Sequence, residues 1–287
     1  MRKEKISLAL LPVICALLFA NCVQRAERPN VSNEFPQRIV SLVPAVTEIL
    51  FAIGAGEKLV GVTQHCDYPP QARTITSVGG FAGATMSVEQ IRALNPDLVI
   101  ISEDMHGRIL SLLDELQIKS FAVEPRSFEE VYDTIIQIGA VTGFQQGAQQ
   151  LIAGMKEKIS IVEGYIQGRE RPAVFWLLEE NPLITVGQKT FISEAIELAG
   201  GWNIFSDIRE QWPLVSREQV LLRKPDWIFI GDDIGDIVEL QNSPFWRSIN
   251  AVREGRLSII NADILYRYGP RLADGVAAIA KILHGLE

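Results

Sequence analysis

The stretches SVEQIRALNPDLVII, starting at Ser87, and SREQVLLRKPDWIFI, starting at Ser216, agree at six of 15 positions and lie 129 residues apart. That spacing is about the length of one α/β lobe, so the duplication predicts two similar lobes with a cleft between them, the usual place for a ligand. In each copy the Ser is a good helix N-cap, because its hydroxyl accepts from the free N–H groups of the first turn. Gln90 or Gln219, three residues on, completes an S-x-x-Q capping box. The helix must stop before Pro96 or Pro225, and the apolar runs Leu98 to Ile101 and Trp227 to Ile230 then read as strands buried on both faces. Glu89 and Glu218 fall at the second helical position, where the helix dipole favours a carboxylate by about 0.3–1 kcal/mol. Their recurrence at matched places on two lobes predicts a paired surface role as well.

The N-terminus reads as an export signal. Arg2, Lys3 and Lys5 precede an apolar run, Ile6 to Ala20, that is broken by Pro12 and too short for a membrane span of about 20 residues. Residues 1–21 are expected to be a signal peptide. The run L-F-A-N-C ending at Cys22 resembles a lipoprotein signal, in which the Cys is acylated and becomes the mature N-terminus. Asn21 departs from the small residue usual there, and simple secretion is the alternative. Residues 22–37 suit a tether. Removing residues 1–21 takes away Arg2, Lys3, Lys5 and Glu4, a charge of +2, and so changes the net charge from −8 to −10. An acidic mature chain argues against nucleic acid as a partner. Cys15 leaves with the signal and Cys22 is the anchor, so Cys66 alone remains and no intramolecular disulfide or Cys-based metal cluster is expected.

From Arg38 strand and helix alternate, with strands at 39–43, 59–62 and 120–123 and helices at 45–53, near 107–116 and near 127–141. This βαβ pattern predicts α/β lobes with mostly parallel sheets. Residues 144–167 break the alternation: Phe144, Ala148, Leu151, Met155, Ile159, Val162 and Ile166 recur in steps of three and four, between Gly143 and Gly168. One helix here is long enough to cross the back of two lobes. The expected organisation is therefore an N-terminal lobe at 38–142, a connecting helix at 143–169 and a C-terminal lobe at 170–287. A weaker echo pairs TEILFAIGA (47–55) with SEAIELAGG (193–201).

A catalytic set is not found. His65 and Cys66 are adjacent, and neighbouring side chains diverge, so they make a poor dyad. Neither phosphate-binding glycine motif occurs, no metal-ligand spacing emerges, and His106 and His284 read as isolated surface residues. A binding reading does better. Phe81, Trp212, Tyr266, Tyr268 and Arg267, with His65 and Tyr68, fall in strand-to-helix loops where aromatic faces can bury a large, flat ligand, while Asp263 and Arg267 serve its polar rim. Trp176 and Trp227, inside strands, read as core.

At RIVSLVPAVTEILFAIG, VGVTQHCDYPPQA, VEQIRALNPDLVI, NPLITVG and WPLVSREQVL the chain resembles the cobalamin-binding proteins of ABC importers, within the wider class that includes siderophore- and haem-binding proteins. The resemblance runs from about Arg38 to the C-terminus. It implies two Rossmann-like lobes joined by one long helix, and a monomeric, exported protein at the periplasm or the outer face of the cytoplasmic membrane. Such a protein captures a corrinoid and hands it to the permease subunits; cobalamin is the transported ligand and there is no catalytic cofactor. Glu89 and Glu218 match the carboxylates that dock on the permease, Trp212 an aromatic that packs on the corrin, and Asp263 with Arg267 a polar pair near the ligand's amides. Phe81 aligns with a ligand-facing Trp. His65 stands where the family tends to have Tyr; it either packs as a polar aromatic or ligates the cobalt or iron of the bound molecule. Ser102 replaces another Trp and predicts a more open pocket wall. The alternatives are a haem or ferric-siderophore binder and, more distantly, a secreted cleft enzyme.

Overall fold

The computed structural model describes residues 35–80, 85–234 and 237–285. Phe81, Cys22, the signal segment and most of the tether lie outside the described residues. The first lobe runs β1 (Ile39–Ser41), α1 (Pro44–Ala52), β2 (Leu59–Val62), α2 (Val88–Ala93), β3 (Leu98–Ser102), α3 (Glu103–Glu115), β4 (Ser120–Val123) and α4 (Phe128–Thr142), and α5 (Gln145–Ile166) follows. The second runs β5 (Ala173–Glu179), β6 (Ile184–Thr185), α6 (Phe191–Leu198), β7 (Trp202–Asn203), α7 (Arg217–Arg223) and β8 (Trp227–Gly231). Three short helices come next, α8 (Ile237–Asn242), α9 (Pro244–Ser248) and α10 (Asn250–Arg253), before β9 (Leu257–Ile260), α11 (Asp263–Tyr266) and α12 (Leu272–His284).

The two sheets have the same plan. In the first the order is β2-β1-β3-β4, every pair parallel. In the second β7, β8 and β9 take the places of β2, β3 and β4 around β5, again in parallel, and β6 adds antiparallel to β5. The α/β class and the parallel sheets expected from the repeat are therefore present. The repeated Pro-Asp ties each sheet together. Asp97 accepts from the N–H groups of Gln37 (2.8 Å) and Arg38 (3.0 Å), and Asp226 from that of Ala173 (2.8 Å). In both lobes the Asp before the second central strand pins the start of the first.

Strands buried on both faces need two cores, and the side-chain period of two supplies them. Leu98 and Ile100 face one cluster while Val99 and Ile101 face another; Val174 and Trp176 likewise alternate with Phe175 and Leu177. The inner cluster is shared, joining residues of both lobes to Met155, Ile159 and Val162 of α5. That 22-residue helix, about 33 Å long, packs on α1 and α4 of one lobe and on α6 and α12 of the other. Gly147 lets it close on α1, because a Cβ there would collide with the carbonyl oxygen of Ile53.

Several local expectations need correction. His106 is fully buried rather than on the surface: its Nδ1 accepts from the Ser102 N–H at 3.1 Å, and α3 departs from helical geometry at this residue. His284 is half-buried, with Nε2 against Gly200 and enclosed. Ser102 opens no wall. It is buried, caps α3 by accepting from Met105 N–H, and donates to Glu124 at 2.6 Å. The capping box is complete at Ser216 and Gln219; at Ser87 the hydroxyl accepts from Gln90 N–H and also donates to Glu89. Trp176 is core, whereas Trp227 is half-buried and stacks on Phe229.

Candidate functional site

Helices can only follow strands here through loops at the strands' carboxyl ends, and those loops meet between the lobes, where open α/β sheets place their ligands. A cavity of about 460 Å³ lies there. The first lobe contributes Asp104 and Met105, just after β3, and Glu124 to Arg126, just after β4. The second contributes Leu178 from β5, Lys189 to Ile192 at the start of α6, Trp212, and Tyr266 and Tyr268 around α11. Trp212 is presented by its neighbours: the carbonyls of Gln211 and Pro213 accept from Gly187 and Thr185 N–H, leaving the indole 51% exposed. Phe191 packs on Tyr268 with ring centres 6.2 Å apart, and Tyr266 sits edge-on to Trp176 at 6.5 Å. Larger hollows occur beside α5 (about 710 Å³) and beneath Glu194 (about 830 Å³), but neither gathers several aromatic faces from both lobes.

The polar pair expected at the ligand rim is engaged by the protein itself. Arg267 donates to Asp67 (2.7 Å), Asp263 (2.7 Å) and Glu48 (3.2 Å), and Arg271 forks onto both oxygens of Glu48 at 2.6 and 2.8 Å. Glu48 and Asp67 belong to the first lobe and the two arginines to the second. This is an inter-lobe clasp around a Glu48 side chain only 1% exposed. Burial disfavours the Arg267 charge, but the Asp67 hydrogen bond and the charges of Asp263, Asp67 and Glu48 outweigh it and hold the guanidinium above its ordinary range. Burial also works against the Asp67 charge, and Arg267 overcomes it, holding that carboxyl below its usual range.

The weak echo between residues 47–55 and 193–201 places Glu194 on α6 where Glu48 stands on α1. Glu194 also crosses to the other lobe, accepting from the N–H of Phe128 at the start of α4 at 3.0 Å. Among the described residues it forms no ion pair with an arginine. Burial pushes its pKa up, the Phe128 hydrogen bond opposes, and Glu129, Glu197 and Glu130 push further up.

Glu89 and Glu218 stand exposed in the first turns of α2 and α7. Backbone N–H groups at the helix starts, then the hydroxyls of Ser87 and Ser216, hold both carboxyls below the ordinary range, so both are ionised at neutral pH.

Of the residues singled out in the sequence, Trp212, Tyr266 and Tyr268 share the cavity wall. Asp263 and Arg267 are joined to each other and, through Asp67, to the loop that carries His65. His65 is exposed on that loop, 3.3 Å from the Gln64 side-chain amide, and does not line the cavity. Asp104, Glu124 and Phe191 were not foreseen, nor was Glu48 as the centre of the clasp. The echo contained Glu48 without saying what it would bind.

Two parallel α/β lobes on one spanning helix, with an aromatic cleft between them, define a two-lobed solute-binding protein. The chain belongs to the periplasmic binding protein family, whose pattern matches residues 39–264. It is 31% identical over 259 residues to the vitamin B12-binding protein of Vibrio cholerae, covering 88% of this chain and 91% of that one. It is also 31% identical over 258 residues to YvrC of Bacillus subtilis, described as an uncharacterised ABC transporter substrate-binding lipoprotein, covering 87% of this chain and 80% of that one. Among solved structures, the periplasmic vitamin B12 binding protein BtuF of Vibrio cholerae superposes with a TM-score of 0.73 at 31% identity, covering 86% of this chain and 96% of that one. The periplasmic haem-binding protein RhuT of Roseiflexus gives 0.77 at 25% identity, covering 87% and 98%.

Proposed function

We propose that the protein captures cobalamin or a related corrinoid in the inter-lobe cleft and delivers it to an ABC importer, performing no chemistry itself. The observation that carries this reading is the composition of the cleft. Trp212, Phe191 and the two tyrosines offer aromatic faces for a broad macrocycle, while Arg126, which lines the cleft, is paired with Asp104, and Arg267 and Arg271 of the neighbouring clasp are neutralised by Glu48, Asp67 and Asp263. Such a cleft suits a large ligand without strong negative charge better than an anionic ferric siderophore. The vitamin B12-binding relatives support the same class of ligand.

In this reading His65 and Phe81 also serve the ligand, and Asp263 with Arg267 forms a fixed polar rim. Glu89 and Glu218 are the docking pair, one per lobe, for basic residues of the permease. Residues 1–21 are removed, Cys22 is acylated and residues 22–37 tether a monomer at the outer face of the membrane. The lobes divide at 38–142 and 170–287 around the connector at 143–169. The lipoprotein relative supports the anchor.

Calorimetric titration of the purified protein with cobalamin, haem and a ferric siderophore tests the ligand. Tight, saturable cobalamin binding is expected. Tight haem binding without cobalamin binding would replace the corrinoid reading by the haem one.

A further inference from the structure

Burial of a hydroxyl with no partner costs about 1–3 kcal/mol, so such a group calls for an explanation, and in the wall of a cleft a bound ligand is one that can be tested. The Tyr268 side chain is 8% exposed and lines the inter-lobe cavity, and among the described residues its hydroxyl has no hydrogen-bond partner. Opposite, the first lobe supplies Asp104 and Glu124. Glu124 takes one hydrogen bond from Ser102 at 2.6 Å and a longer one from Asp104 N–H at 3.4 Å, both at Oε2, which leaves Oε1 for another donor. Asp104 is paired with Arg126 at 2.9 Å, so the guanidinium nearest to this wall is already engaged. Burial, then the charges of Glu124 and Asp104, push the Tyr268 hydroxyl's pKa up, which keeps it a neutral donor.

We infer that Tyr268 and Glu124, from opposite walls of the cleft, form a carboxamide-reading pair that selects amidated ligands and rejects their carboxylate counterparts. The inference rests on the corrinoid reading and adds the basis of selection to it. A primary carboxamide satisfies both partners at once: its carbonyl accepts from the Tyr268 hydroxyl and its NH₂ donates to the free Glu124 oxygen. Cobalamin carries several such arms at its rim. A carboxylate in the same place brings a second negative charge against Glu124 and Asp104 and has no proton to give Glu124. The propionates of haem are carboxylates of this kind. Lys189, the other cation of the cavity, is exposed at the rim, where water screens it. A site built on buried polar groups discriminates most strongly against ligands that leave them unpaired.

The test uses the whole mature chain and calorimetric affinities for cobalamin and for cobalamin monocarboxylates, each with a different propionamide arm hydrolysed. The unaltered protein is expected to bind at least one monocarboxylate tenfold or more weakly than cobalamin. Glu124→Gln should shrink that ratio severalfold by removing the repelling charge. Tyr268→Phe should weaken cobalamin about 5- to 10-fold, with the urea midpoint unchanged or raised, because the unpartnered hydroxyl is gone. Equal binding of all monocarboxylates and cobalamin, or Tyr268→Phe and Glu124→Gln proteins that keep both the affinity and the ratio, would overturn this inference and leave the corrinoid reading standing. Failure of the unaltered protein to bind cobalamin would overturn both.

Discussion

The two lobes repeat one another outward and differ inward. On the outer surface α2 and α7 present Glu89 and Glu218 in the same helical turn, with the same serine behind each. Toward the partner lobe, Glu48 and Glu194 stand at matching places on α1 and α6 and have different fates: Glu48 is clasped by two arginines, while Glu194 meets one backbone N–H among three other carboxylates. The difference teaches that a duplicated fold can keep identical outer helix starts while one inter-lobe seam becomes ionic and the other weakly polar. With a core shared through α5, the ionic seam fixes how the lobes face each other.

The contrast between the seams is broken most severely at Glu48. Glu48→Ala leaves Arg271 and part of Arg267 buried without their counter-charge, and a loss of about 3–5 kcal/mol in urea unfolding is expected. A smaller effect is expected from the strand pins. Asp97→Ala removes acceptors for two N–H groups and should cost about 1–3 kcal/mol, more than Asp226→Ala, which removes one.

The smallest effect lies at Glu194, and there the sign reverses. A carboxyl whose pKa rises on folding contributes stability that is fully present below its unfolded value near 4.5 and is lost as pH rises through the folded value. Glu194→Gln keeps an acceptor for Phe128 without the charge. It should therefore be neutral or slightly stabilising at pH 7, and should flatten the stability profile just above pH 4.5. Asp67 works the other way, since its contribution is present above about 3.8 and is lost as pH falls through its lowered folded value. Asp67→Asn should accordingly flatten only the acid end of the profile. Thermal melts across pH 3 to 7 on these two variants check both signs.

Much of the fold could be read in the chain because the repeat carries its own punctuation. Ser, Gln, Pro and Asp fix helix start, helix stop and strand pin in each copy, and the alternating apolar run can only be a strand between two cores. The aromatic content of the cleft was readable too, in Trp212, Tyr266 and Tyr268. The partners of charged residues were not. Glu48 and Arg271 are 223 positions apart, and no local pattern announces that Arg267 will pair with Asp67. His106 read as surface because a lone His carries no sign of the backbone N–H that it will accept from. Glu124 and Asp104 were missed because a carboxylate just after a strand looks like any solvated turn.

The most direct test of the corrinoid cleft is a crystal structure of the mature chain grown with cobalamin. The corrin is expected between the lobes, packed on Trp212, with a carboxamide arm reaching Tyr268 and the Glu48–Arg271 clasp intact. Cobalamin seated elsewhere, for instance in the hollow beside α5 with the inter-lobe cleft empty, would contradict it.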